Sequence, residues 1–305
     1  MPFSITQNMT SKIIVCCHKQ DIYASQEPYL PIQVGRVLAH TTLDMVGDDT
    51  GDNISSRNGS YCELTGMYWA WKNFKDVDVI GLCHYRRYFD FHGQTPSWAP
   101  HSVRPVADFS HVNLDVPDDI LRQVGSGAVL TPRYTNCQLN MMADYSCSHN
   151  SDDFKVLQHI VCKNQPEDIK KAFYQVMYCS NNRPSYNMFI MKWSDFDEYC
   201  RWLFPLLQEV SDNIDITHYT PLQQRIYGYM SERLLLVWLT AKKKTIIRKP
   251  VIWFTELDDP MRHAKRWKYV VRCLLNNLSV AMSRPRYANI MNRDYSSLVE
   301  SKRHS

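Results

Sequence analysis

Short apolar runs alternate with longer amphipathic stretches along the chain, the pattern of strands threaded between helices. Residues 12–18 (Lys-Ile-Ile-Val-Cys-Cys-His) predict a first strand that delivers polar residues to a His-Lys-Gln-Asp turn. Residues 79–83 (Val-Ile-Gly-Leu-Cys) have no polar alternation, which predicts a strand buried on both faces of a largely parallel sheet. Residues 129–132 and 186–191 predict two more strands. Helical spacing takes over between them. Ser60, with Glu63 three positions on, reads as a capping box, and Tyr61, Leu64, Tyr68 and Trp71 then share one helical face up to Lys72-Asn73. Residues 154–162, 194–207 and the stretch from Gln224 to Leu239 predict further helices. Residues 29–38 fit neither period. Residues 1–10 form a polar leader, 136–150 a polar segment, and 92–117, rich in Pro, His, Ser and Asp, an excursion over the surface suited to a lid.

The buried run 79–83 ends in His84-Tyr85-Arg86-Arg87-Tyr88-Phe89. Open α/β sheets take ligands outside the carboxyl ends of their strands, so these cations fall where a phosphorylated ligand sits. Arg suits that task because its planar fork is always charged and holds two phosphate oxygens at once. The competing use is capping of carbonyls or pairing with surface carboxylates. Neither G-x-G-x-x-G nor G-x-x-x-x-G-K-[ST] occurs, so phosphate must be held some other way. Asp76-Val77-Asp78 is a literal D-x-D, yet it precedes the strand, at the edge opposite the ligand, and reads as a turn. Asp48, Asp49 and Asp52 can ligate a divalent cation or serve as solvated turn residues. His149, Asp152 and Asp153 are either a general base or helix-capping groups. Glu232, between Arg225 and Arg233 at an apolar helix, is either a half-buried base or one arm of a structural ion pair.

A chain of 305 residues with 44% apolar content buries a large core as one elaborated α/β domain or as two. The net charge of +4 does not itself imply nucleic acid, but its distribution is uneven. From residue 260 onward ten Lys or Arg face two acids, giving +8 there and leaving −4 for the rest. Residues 262–278 interleave Arg262, Lys265, Arg266, Lys268 and Arg272 with Trp267, Tyr269, Val270, Val271, Leu274, Leu275 and Leu278. That pattern fits a helix on an anionic membrane surface, or one packed on the body with a solvated basic face. The start of the chain lacks a basic segment followed by an apolar run, and no stretch reaches the roughly 18 apolar residues of a membrane span. The expected setting is the cytoplasm, with the chain soluble or peripheral on the membrane's inner face. The ten Cys contain no C-x-x-C pair and read as core residues, so zinc is not expected.

Four blocks, taken in order, carry a family resemblance: Cys62-Glu63-Leu64-Thr65-Gly66-x-Tyr68-Trp69-Ala70-Trp71-Lys72-Asn73, Ile80-Gly81-x-x-His84-Tyr85-Arg86-Arg87-Tyr88-Phe89, Asn187-Met188-Phe189-Ile190-Met191, and Arg225-x-x-Gly228-x-x-x-Glu232-Arg233-Leu234. The chain resembles, over about residues 11–240, a bacterial family first catalogued as a domain of unknown function, of capsule, exopolysaccharide and O-antigen glycosyltransferases, some of them similar to galactofuranosyltransferases. The resemblance implies an α/β fold with a GT-A-like single catalytic domain, a mostly parallel central sheet flanked by helices, over residues 11–255. A basic helical tail then covers 256–305. It further implies transfer of a sugar from a nucleotide donor, without fixing donor, acceptor or stereochemistry; the expected reaction is transfer of a hexosyl unit, galactofuranosyl being a candidate, from a UDP-linked sugar to a lipid-linked capsule or O-antigen glycan.

Such transfer needs three things. The departing diphosphate needs positive charge, for which Arg86, Arg87 and His84 are candidates. Tyr85, His149 and Arg225 are further candidates for contact with the substrate. An inverting reaction needs a base, for which the order of candidates is Glu232, Asp152, Asp153. Sugar and nucleobase need positioning groups, for which His18, Lys19, Trp69 and Asn187 are candidates. With two fixed cations at the strand end no metal cofactor is required; dependence on Mn2+ or Mg2+ is the alternative. The competing class is a non-catalytic module that binds carbohydrate or single-stranded nucleic acid through the tail. The acidic body and the lack of an RNA-recognition signature oppose it, and no nucleic-acid partner is expected.

Overall fold

The computed structural model describes residues 9–258 and 264–303. Most of the polar leader, and Arg262 of the tail, lie outside the described residues. In chain order the strands are β1 (Ser11–Cys17), β2 (Tyr29–Gln33), β3 (Val46–Gly47), β4 (Val79–His84), β5 (Arg87–Phe89), β6 (His101–Arg104), β7 (Val129–Pro132), β8 (Thr135–Asn136), β9 (Asn182–Arg183), β10 (Phe189–Lys192), β11 (Ile246–Lys249) and β12 (Val251–Phe254). The main sheet runs β11-β7-β10-β4-β1-β2-β3. β4, β1, β2 and β3 are parallel neighbours and β11 is parallel to β7, while β10 is inserted antiparallel between β7 and β4. This is a mostly parallel α/β sheet flanked by helices.

Side-chain alternation divides the core between the two faces of that sheet. Ile14 and Cys16 of β1, with Ile80 and Leu82 of β4, face a large layer built from helices Leu64–Asn73, Ser151–Asn164, Trp193–Ser211 and Ile226–Ala241. Ile13, Val15 and Cys17, with Val79 and Cys83, face a smaller layer that includes Ile120 and Val124 of helix Asp118–Gly125. β4 is therefore buried on both sides, as its unbroken apolar run requires.

Several local expectations are corrected. The helix foreseen from Ser60 is broken in two: Asn58–Tyr61 ends at Cys62, whose φ is 52°, and a second helix starts at Leu64. Ser60 Oγ donates to the Arg57 carbonyl, so no capping box forms there. The strand expected from residue 186 begins only at Phe189, because Tyr186 and Asn187 take φ of 75° and 50° and cannot join the ladder. The polar segment 136–150 holds a helix, Met141–Ser148, whose N-cap Asn140 accepts from the Ala143 N–H. The excursion 92–117 is tied down: β6 within it pairs with β12, which also pairs with β5. Asp76-Val77-Asp78 is a turn before β4, as expected, with Asp76 at φ 57° and Asp78 accepting from the Thr10 N–H.

The tail folds back on the body. Ile290 and Val299 enter the larger core layer, Gln158 Nε2 donates to the Ile290 carbonyl at 2.9 Å, and Lys302 Nζ lies 3.0 Å from Asp153 Oδ1.

Gly81 sits where β1, β4 and β10 meet, and a Cβ there would stand 2.9 Å from Ile13 Cγ1 and 3.1 Å from the Phe189 carbonyl. Gly81→Ala is expected to cost about 1–3 kcal/mol through overpacking, read from the urea midpoint at unchanged slope. An unchanged midpoint would show that the three strands separate freely.

Candidate active site

Two adjacent parallel strands, β1 and β4, end at the same edge of the sheet, and a cavity of about 470 Å3 opens there. β1 contributes Cys16 and, just beyond it, His18. β4 ends at His84 and reverses through Tyr85-Arg86 into β5, with His84 paired directly to Arg87. Arg86 is thus at the tip of a two-residue hairpin at the carboxyl edge, and Arg87 is the first residue of its returning strand. Glu63, Arg225 and Glu232 arrive from the helical layer, Trp253 and Thr255 from β12 and its exit, and Tyr186 from the loop before β10.

The two arginines are not equivalent. Arg86 grips Asp21 side-on, Nε to Oδ1 at 3.0 Å and Nη2 to Oδ2 at 2.8 Å. Burial pushes the Asp21 carboxyl up, but the Arg86 hydrogen bonds and the Ile22 amide outweigh it and hold the carboxyl below its ordinary range. Arg87 lies between two aromatic faces, 4.8 Å from the Tyr186 ring centre and 5.0 Å from that of Trp253. Its Nε is buried without a hydrogen-bond partner, and among the described residues no carboxylate reaches it within ion-pair distance. A buried donor left open in a cavity is costly unless a ligand completes it. Arg225 also lies near a ring, 5.6 Å from the Tyr229 centre, but its Nε has a partner, Cys62 Sγ at 3.2 Å.

Opposite these cations are two carboxylates. Glu232 Oε1 accepts the Tyr186 N–H at 2.9 Å. Burial pushes its carboxyl up to about 7, opposed by Arg233 and reinforced by Glu63. Glu63 Oε1 accepts from Asn187 Nδ2 at 2.7 Å, and Asn187 is itself fixed by Ser231 Oγ and the Gly228 carbonyl. His84 Nε2 lies 2.5 Å from the Tyr186 carbonyl, which can only accept, so the proton is on Nε2. Burial holds His84 and His18 below the ordinary imidazole range, which leaves both neutral near pH 7.

Of the residues expected from sequence, His18, His84, Tyr85, Arg86, Arg87, Arg225 and Glu232 line one cavity. The others do not. Asp153 is fully buried, bonded to Tyr219 and Lys302, and Asp152 pairs with Lys155 at 2.7 Å on the helix start; neither lines the cavity as a base would have to. Asn150, not Asp152, caps that helix. His149 stacks on Tyr229 at 4.1 Å behind the cavity wall, with burial and Arg233 pushing it down to about 4. Trp69 is buried against Phe74, its Nε1 given to Thr50. Lys19 is exposed, 3.7 Å from Asp21. Asn187 is buried and does not line this cavity; its amide is held by Glu63, Gly228 and Ser231, so it positions a carboxylate. Missed from sequence were Glu63, Tyr186 and Trp253 as cavity residues. Glu63 had been read as a helix cap, and Trp253 lies 166 positions after Arg87, reachable only through the β5–β12 pairing.

Asp48 spends its carboxylate on the Gly35 and Arg36 amides and the Ser55 hydroxyl, which fits a turn and not a metal ligand. Among the described residues no three His, Cys, Asp or Glu side chains converge as a metal site would need.

The α/β sheet thus carries, at the carboxyl edge of its strands, a cavity lined by both arginines and carboxylates. The chain belongs to the family described as domain of unknown function DUF4422, whose model matches residues 12–244. The chain is also similar to the apo structure of the bifunctional glycosyltransferase WbbM, at 25% identity and a TM-score of 0.70 over 82% of this chain. It spans 46% of that chain's length. No curated protein matches significantly.

The raised Glu232 carboxyl has a consequence for stability. The folded chain binds its proton more tightly, with a pKa of about 7 against the ordinary 4.5, so stability is full below pH 4.5 and falls as pH rises through 7. Glu232→Gln is expected to remove up to roughly 3 kcal/mol of that fall. Urea midpoints of both proteins at the two ends of the window measure it; parallel profiles would contradict the assignment.

Proposed function

We propose that the chain is a glycosyltransferase that moves a hexosyl unit, galactofuranosyl being the candidate, from a UDP-linked donor to a lipid-linked capsule or O-antigen glycan on the inner face of the cytoplasmic membrane. The observation that carries this reading is Arg87, an uncompensated guanidinium held between two rings in the same cavity as Glu232. Similarity to a glycosyltransferase structure supports the reaction class.

The acceptor oxygen attacks the anomeric carbon, the bond from that carbon to the diphosphate oxygen breaks, and the electron pair leaves with UDP. Arg87 and Arg225 meet the charge that grows on the diphosphate; Arg86, already neutralised by Asp21, holds the hairpin in shape. Glu232 takes the acceptor hydroxyl's proton. A carboxylate titrating near 7 is matched to that task, since enough of it is ionised while its basicity stays high. His84 keeps Tyr186 in place through its Nε2 proton. The two guanidiniums supply the charge a Mn2+ or Mg2+ ion would otherwise bring, so turnover is expected to persist in a chelator.

Calorimetric titration with UDP tests the donor site. Wild type is expected to bind UDP with EDTA present, and Arg87→Ala to bind at least about tenfold more weakly. Absence of UDP binding, or equal binding by the variant, would overturn the assignment and favour a binding module for another ligand. Glu232→Gln is expected to keep UDP affinity while lowering kcat by roughly 10^2–10^4 with UDP-hexose donors. The wild-type rate should rise with pH through about 7. A Glu232→Gln enzyme of normal kcat would remove it as the base.

A further inference from the structure

Helix Arg266–Ser283 is mounted with its apolar side facing outward. Trp267, Val270, Val271, Leu274, Leu278 and Met282 are 44–72% exposed. At 3.6 residues per turn they fall within an arc of about 120°. Outside that arc the helix meets the protein through Tyr269 against Trp98, through Asn276 and Asn277 bonded to Asn136, and through buried Val280. A surface helix of a globular domain does the reverse, burying its apolar stripe and exposing its polar one. Leu275, also exposed, extends the face toward exposed Leu139 across a shallow apolar groove of about 500 Å3.

Charge identifies what covers this face. Lys265, Arg266, Lys268 and Arg272 flank the apolar arc on both sides and are exposed, and Arg284 and Arg286 follow at its end. Residues 260–293 contain no acidic residue at all. An apolar face bordered by cations that no carboxylate pairs among the described residues complements an anionic bilayer, whose headgroups meet the cations while the acyl region takes the apolar side chains. A second copy of this chain would instead set the same cations against each other, because a two-fold contact pairs a patch with itself. No helix among the described residues is long and apolar enough to cross a membrane, so the helix lies on the surface.

We propose that helix Arg266–Ser283 docks the protein on an anionic lipid surface through the face formed by Trp267, Val271, Leu274 and Leu278. This deepens the reading of a lipid-linked acceptor and draws its purpose from it, but the docking stands on the helix alone. In sequence the helix starts eleven residues after Thr255 of the cavity wall.

Flotation of the full chain with phosphatidylcholine vesicles, with and without phosphatidylglycerol, tests it. Wild type is expected to float with the anionic vesicles, to stay behind with the neutral ones, and to be released by high salt. Leu274→Ser/Leu278→Ser and Arg266→Glu/Lys268→Glu/Arg272→Glu should each lower partitioning at least about tenfold. Thermal melting of both variants checks that they fold, since the substituted side chains are exposed. Wild type that ignores anionic vesicles would overturn the proposal. So would binding untouched by both variants, or a dimer on gel filtration that Leu274→Ser/Leu278→Ser dissolves. Vesicle binding by a protein that binds no UDP would support docking while removing the transferase reading.

Discussion

The hydrogen bonds that converge on Tyr186 are the constraint on which the cavity depends. Its N–H goes to Glu232, its carbonyl takes the His84 proton, and its ring lies on Arg87, while Asn187 beside it fixes Glu63. Both residues hold positive φ without being glycine, a conformation that costs energy and persists only where surroundings enforce it. Here three separate elements do so: the end of β4, the helix carrying Glu232, and the β5–β12 ribbon. Releasing that loop would free both carboxylates and the open arginine together.

Charge in the cavity follows from what each group is paired with, not from how many charged groups are present. Arg86 and Asp21 cancel one another in a side-on pair, so Arg86 acts as structure. Arg87 is screened by rings instead of a carboxylate, which keeps its charge available. Glu232 lines the same cavity, and burial and the neighbouring Glu63 make its ionisation harder. The result is a cavity in which an arginine with an open donor and a carboxylate pushed toward neutrality stand together. The same logic operates in helix Arg266–Ser283, where among the described residues no carboxylate lies within ion-pair distance of Arg266, Lys268 or Arg272.

Much of the framework was legible because it is local. The apolar run of β4, the first strand and the amphipathic helices follow directly from periodicity, and the cations at the end of β4 follow from the rule that parallel sheets bind at their carboxyl edge. The site was legible only in part because pairing across long sequence distances decides it. His149, Asp152 and Asp153 look like base candidates until the tail's Lys302 and Tyr219 are seen to occupy Asp153, and Tyr229 to cover His149. Asn187 looks like a substrate ligand until Gly228 and Ser231 are seen to consume its amide. The outward mounting of the tail helix was equally open in sequence: the pattern fitted either face, and three asparagines, Asn136, Asn276 and Asn277, decide it.

The most direct test of the central claim is nitrogen-15 NMR of the Arg87 Nε–H, assigned by its loss in Arg87→Lys, before and after addition of UDP, with uridine as the control. The account predicts that UDP shifts this signal and slows its exchange with water as the open donor gains a phosphate oxygen, and that uridine leaves it alone. A signal indifferent to UDP, or equally moved by uridine, would contradict a diphosphate site at Arg87.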